Sequence, residues 1–186
     1  VPVPLTVNPP GPHFTRSGVT NTASYVNLVL STGAVLTIFG ERFGPDSLTT
    51  AVLESGKLAT TLGGTRVLFD GEPSPMLYAV NGQLSTIAPF SLQGKPFTVI
   101  QIEHNGVKSP GVRIPIAPAV PGLLTANSSG SGPAAALNED NTFNSISGEL
   151  PGRYVVFFGV GGPATNPPGR DGELTTAPLP VFTTPV

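Results

Sequence analysis

The chain has 186 residues, of which 23 are glycine and 22 proline, and only 11% are charged. Ordinary soluble domains hold about 12% Gly plus Pro and about 25% charged residues, so this composition excludes long helices, whose interiors both residues destabilise. It also excludes general disorder, because 39% of residues are hydrophobic and the net charge is -2, which leaves apolar surface to bury and little self-repulsion to oppose burial.

Residues 1–12, VPVPLTVNPPGP, read as an extended Pro-rich arm able to add to a sheet edge, with the arm region running to residue 18. Residues 19–118 are predicted to form one β-sandwich. Its strands are expected at Val35–Phe39, Thr65–Phe69, Met76–Val80, Leu84–Ala88, Phe97–Glu103 and Val112–Ile116. Turn signals separate them at Phe39-Gly40, Asp70-Gly71, Asn81-Gly82, Gln93-Gly94 and Asn105-Gly106, where Gly and Asn supply the positive φ of tight hairpins. Pro115 marks the last strand as an edge or a bulge.

Residues 119–186 are expected to hold a linker, near Ala117 to Gly132, and a partial second sandwich with an extended tail. The reason is an internal repeat. Asn21-Thr-Ala-Ser, Val35-Leu-Thr-Ile-Phe-Gly40 and Phe43-Gly-Pro45 are echoed by Asn141-Thr-Phe-Asn-Ser, Tyr154-Val-Val-Phe-Phe-Gly159 and Gly161-Gly-Pro163. The echo extends from Gly56-Lys-Leu to Gly172-Glu-Leu, and the offset, 119 residues at Gly40/Gly159, suits tandem sandwich units. The second copy has no counterpart of Thr65 to Ile116, so it is expected to expose an apolar face and unpaired edges that need covering. A start at Val1 rather than Met reads as processing or as a fragment.

The strings FGERFGP, GGTRVLFDGEPSPMLYAVNGQLSTIAPF, ALNEDNTFNS and FFGVGGP resemble the repeated C-terminal domain of secreted acidobacterial-type proteins. That domain is similar to the IPT/TIG immunoglobulin-like fold. The resemblance covers roughly residues 19 to 178, with Gln83-Leu-Ser85 where the family commonly has Gln-Ile-Asn. It implies an all-β, immunoglobulin-like sandwich plus a second, incomplete one, in an extracellular structural or accessory protein, and it carries over no catalytic residue.

Candidate chemistry is sparse. His13 and His104 are the only histidines and are read as surface residues rather than metal ligands. Ser128-Ser-Gly-Ser-Gly132 is a linker tract rather than a nucleophile elbow. Glu139 and Asp140 lie in an oxygen-rich run, Asn138 to Asn144, that lacks calcium-loop spacing and reads as a turn. Asp70, Glu72 and Asp171 are read as turn residues too. Gly159-Val-Gly-Gly162 leads into Pro163, where no helix can offer its amides to a phosphate. Asn127-Ser-Ser129 matches a glycosylation sequon. Phe39, Phe69, Phe97, Phe157 and Phe158 are expected mostly in the core.

The expectation is therefore no catalytic, cofactor-binding or metal-ligating residue. The protein is expected to be a non-enzymatic extracellular structural protein whose copies assemble by strand addition into a filament or surface fibre, using the arm or the tail Pro178 to Val186. The alternative is a secreted binding module for a glycan or surface protein, with Tyr25, Tyr78 or Tyr154 in contact. Scattered basic residues argue against nucleic acid, and no apolar run nears the length of a membrane span.

Overall fold

The computed structural model describes residues 10–145 and 148–185. In chain order the strands begin with β1 (His13–Asn21), β2 (Val35–Glu41), β3 (Thr49–Thr50), β4 (Leu53–Glu54), β5 (Lys57–Leu58) and β6 (Thr65–Phe69). They continue with β7 (Glu72–Pro73), β8 (Met76–Val80), β9 (Gln83–Ile87), β10 (Phe97–His104), β11 (Val107–Lys108) and β12 (Val112–Pro115). Short pieces follow: β13 (Gly122–Leu123), β14 (Ala136–Asn138), β15 (Val155–Phe157), β16 (Gly159–Val160), β17 (Thr165–Asn166) and β18 (Val181–Phe182).

Two antiparallel sheets form the first unit. One has the order β1-β2-β9-β8-β3; in the other, β10 carries β6 and then β7 on one side and both β11 and β12 on the other. Strand alternation sends Leu36, Ile38 and Leu84 of the first sheet, and Val67, Phe69, Ile100, Ile102 and Ile114 of the second, into one apolar cluster. Phe14 and Phe43 meet there edge to face, with ring centroids 6.3 Å apart. No buried side-chain nitrogen or oxygen among the described residues lacks a hydrogen-bond partner.

The predicted strands fall where the β-branched runs lie, and two turns follow the expected chemistry. Asp70 and Gly71 (φ 52 and 93) close β6–β7, and Asn105 and Gly106 (φ 48 and 84) close β10–β11. Both positive angles match the right-handed strand twist. Phe39-Gly40 is a correction, because β2 runs straight through it. Glycine stands there since a Cβ would collide with the His13 carbonyl oxygen and the Phe43 ring.

The arm also needs correcting. Residues 1–9 lie outside the described residues, but β1 starts at His13, inside the segment assigned to the arm, and buries Phe14. The irregular stretch between Phe14 and Val19 hides the alternation that would have marked the strand. The linker reading of Ala117–Gly132 is corrected as well, because β13 lies within it and pairs with β16.

The repeat is visible in strand register. In the first unit His13, Phe14, Val19, Thr20 and Asn21 oppose Glu41, Gly40, Ile38, Thr37 and Leu36. In the second, Gly122, Leu123, Ala136, Leu137 and Asn138 oppose Val160, Gly159, Phe157, Val156 and Val155. The right-hand residues are all displaced by 119, so β15–β16 repeats β2, and β13 with β14 repeats β1. The short bulge Thr15–Gly18 becomes the longer stretch Leu124–Ala135. Asn138, rather than Asn141, therefore takes the place of Asn21. Gly159 is held by the same constraint as Gly40, since a Cβ would come 2.8 Å from the Gly122 carbonyl oxygen.

Candidate interaction surface

The sequence candidates are dispersed. His13 is exposed, while His104 shares Nδ1 with Thr65 Oγ1 at 2.9 Å and Nε2 with Asn105 Nδ2 at 3.0 Å. Glu139 accepts from Arg153 at 2.9 Å, and Asp140 accepts from the Thr142 hydroxyl and N–H, which hold its carboxyl below the usual range. Asp171 caps the Phe90 N–H at 2.8 Å. Asn127 accepts from Ser129 in a local turn, and the Ser128 carbonyl accepts from the Tyr25 hydroxyl. Glu72 is exposed on β7. Among the described residues no three His, Cys, Asp or Glu side chains gather as a metal site.

Asp70 has a structural task beyond the turn. Its carboxylate accepts from Lys95 Nζ at 2.9 Å, from the Thr98 hydroxyl at 3.0 Å and from the Val99 N–H at 2.8 Å, tying the β6–β7 turn to β10. Burial acts to raise its pKa, but the three donors and the ammonium charge outweigh that and lower it. A lowered folded-state pKa contributes stability that is full above the ordinary carboxylate range and is lost as pH falls through the folded value. Asp70→Asn is expected to flatten the part of the acid-unfolding curve below that range, as followed by denaturant melts at falling pH.

The aromatic expectations divide. Phe69 is buried, whereas Phe39, Phe97, Phe157 and Phe158 are exposed. Phe39 stands on the solvent face of β2 because its neighbours Leu36 and Ile38 take the inner face. Phe158 is its counterpart in the second unit. Phe97 is covered on one side by the Arg113 guanidinium, 3.6 Å from the ring centroid. Phe157 is the informative one. It repeats Ile38, which is 0% exposed, yet Phe157 itself is 56% exposed; Leu123 repeats Phe14 at 52% against 5%. The inward positions are present, and among the described residues no core closes over them. Among the described residues, the buried aliphatic and aromatic side chains other than Ala136 all lie between Phe14 and Ile114.

Phe157, Leu123, Pro121, Val160 and Phe182 line a shallow apolar groove. Along its rim runs an open strand edge. The Ala136 carbonyl accepts from Asn144 N, and Asn138 exchanges bonds with Asn141 and Thr142, so both turn their backbone groups away from β15. Leu137 opposite Val156 is then the hydrogen-bonded pair, and Phe158 O accepts from Leu124 N on that same side. Backbone polar groups alternate between the edges of a strand, so those of Val155 and Phe157 face the other way. Their counterparts Leu36 and Ile38 pair with β9 there; among the described residues β15 has no such neighbour. The sequence marked this edge only through the repeat, since Tyr154 to Val160 by itself reads as an ordinary core strand.

The second unit is seated firmly on the first. Asn21 Nδ2 donates to Val120 O at 2.9 Å, Ser31 Oγ to Gly161 O at 3.1 Å, and Leu58 N to Gly172 O at 2.8 Å. Lys57 pairs with Glu173 at 3.0 Å. No family model matches the chain, and no curated protein or solved structure matches it significantly.

Proposed function

We propose that this is a non-enzymatic extracellular structural protein of immunoglobulin-like, IPT/TIG-like β-sandwich units, whose copies assemble by completing the second unit through strand addition. One observation carries the reading: β15–β16 repeats β2 in register but keeps inward side chains such as Phe157 exposed and, among the described residues, has no strand on its β9-side edge. Exposed backbone edges and apolar faces together favour an added chain. Magnitudes say the partner must be a strand rather than a lone contact. Covering about 100 Å² on each of Phe157 and Phe182 gives about 5 kcal/mol, which does no more than meet the lower estimates of association cost, about 4 kcal/mol and upward. Further apolar burial and ladder hydrogen bonds are needed. Purified protein is expected to form fibres in negative stain and to scatter light increasingly with concentration. Monodisperse monomers across the accessible range would defeat the reading.

A second reading has its own observation. On the solvent face of the first sheet Tyr25 lies against Phe39, with centroids 6.3 Å apart; Phe39 opposes Gln83, and Gln83 Nε2 donates to the Tyr78 hydroxyl at 2.6 Å. This row of rings and an amide is a surface on which a sugar could stack. Tyr154 belongs to the other unit and takes no part. A glycan-array signal removed by Tyr78→Ala would favour it, and a blank array would dismiss it.

A further inference from the structure

Two dipeptides in the chain pair asparagine with glycine, Asn81-Gly82 and Asn105-Gly106, and both serve as two-residue hairpin turns. We infer that Asn105 is a site of self-modification, at which the side-chain amide is lost to give aspartate and isoaspartate, and that it converts well ahead of Asn81. The inference stands apart from the assembly reading. Asparagine is a thermolabile residue, and glycine is its most favourable successor because it has no Cβ to obstruct its own nitrogen. The two turns differ in how tightly the fold holds them.

The reaction needs no reagent but water. The Gly106 nitrogen bonds to Asn105 Cγ, the Cγ–Nδ2 bond breaks, and ammonia departs carrying the proton that the Gly106 nitrogen gave up, which leaves a five-membered succinimide ring. Water then opens the ring at either carbonyl. Addition at Cγ restores the main chain with an aspartate side chain, whereas addition at the Asn105 main-chain carbonyl carbon leaves the chain running through Cγ as isoaspartate, one methylene longer. Closing the ring turns the Gly106 nitrogen toward the Asn105 side chain, which the closed hairpin, with φ of 48 and 84 at the two residues, opposes. The rate therefore follows how often each turn opens.

Asn81-Gly82 is locked. Its strands pair through Met76 with Thr86, Tyr78 with Ser85, Ala79 with Leu84 and Val80 with Gln83, and β2 and β3 flank them on both sides. Asn81 N donates to Pro45 O at 2.8 Å and Gly82 O accepts from Gly40 N at 2.9 Å, so the turn is tied to β2 and to the loop after it. Asn105-Gly106 has weaker support. β11 meets β10 only through Glu103 with Lys108 and His104 with Val107, followed by a bond from Ser109 N to Ile102 O, and among the described residues no strand lies on its outer side. One backbone bond, from Asn105 N to Gly64 O at 2.9 Å, ties this turn elsewhere, and a Cβ on Gly106 would have nothing within 4 Å, so water reaches it freely. Conversion has local consequences. Asn105 Nδ2 donates to His104 Nε2 at 3.0 Å, a bond that goes with the amide, and the new carboxylate adds one negative charge to a chain of net charge -2. Isoaspartate also shifts Val107 out of register with His104, at the point where Gly11 lies against it.

The test keeps the full chain in mildly alkaline buffer at body temperature and maps its peptides by mass spectrometry at intervals. Conversion is expected to run at least about tenfold faster at Asn105 than at Asn81, with both aspartyl and isoaspartyl products at Asn105. In urea concentrated enough to abolish the folded signal, the two sites are expected to convert at similar rates, because both are followed by glycine. Conversion at Asn81 that keeps pace with Asn105 in the folded chain, or none at Asn105, would overturn the assignment. A ratio in urea that matches the folded one would overturn it too, because the fold would then not be its cause.

Discussion

Phe43→Ala is expected to destabilise the first unit by about 3 to 5 kcal/mol, the cost of removing a fully buried ring and leaving its cavity. Three features make this position less forgiving than another core residue. Phe43 packs edge to face on Phe14 and lies under Gly40, so its ring fills the space beneath the point where the start of β1 pairs with the end of β2. Its carbonyl accepts from the buried Thr65 hydroxyl at 2.6 Å, and the same hydroxyl bonds Gly44 O at 2.9 Å and His104 Nδ1 at 2.9 Å. Phe43 therefore anchors the turn after β2 to both β6 and β10. For a unit of about 100 residues the loss corresponds to a melting temperature lower by at least about 12 °C. Calorimetry on Phe43→Ala and Phe43→Leu checks this; an alanine variant that melts within a few degrees of the parent would show that the ring closes no cavity of consequence.

Phe157→Asp is expected to do the reverse, changing stability by less than about 1 kcal/mol while abolishing assembly. The folding part follows from exposure, because a side chain more than half in water loses little on replacement. The assembly part follows from chemistry. A carboxylate at the centre of an apolar groove would be desolvated without a partner by any docked strand, a cost of several kcal/mol. Thermal melts together with light scattering separate the two effects. A Phe157→Asp protein that melts normally and still forms fibres would remove the groove from the contact. Phe69→Asp, its contrast within the first unit, would be expected to unfold the chain outright.

The difference between these two phenylalanines shows how far the residues alone can be read. Both sit in short apolar runs after turn residues, and pattern alone assigns both to a core. Burial depends on whether a second sheet lies opposite, and that is a property of partners distant in sequence. The same limit explains Phe39, whose place on the outer face follows from which neighbour takes the inner one. It explains Gly40 too, where the glycine that reads as a turn is demanded by a crossing backbone carbonyl and an aromatic ring.

By itself the sequence determined the all-β class, the positions of the long strands from β2 to β12, the Asp-Gly and Asn-Gly hairpins and the existence of a repeat. These depend on local alternation, on β-branched content and on φ angles that few residues adopt, all of which act over a few residues. Only the tertiary structure decided that β1 begins at His13, that Asn138 takes the place of Asn21, that Asp70 clamps two strands, and that among the described residues β15 has a strand on one edge only. Each of those is a pairing between segments many residues apart, chosen by packing and hydrogen-bond register that no local pattern encodes.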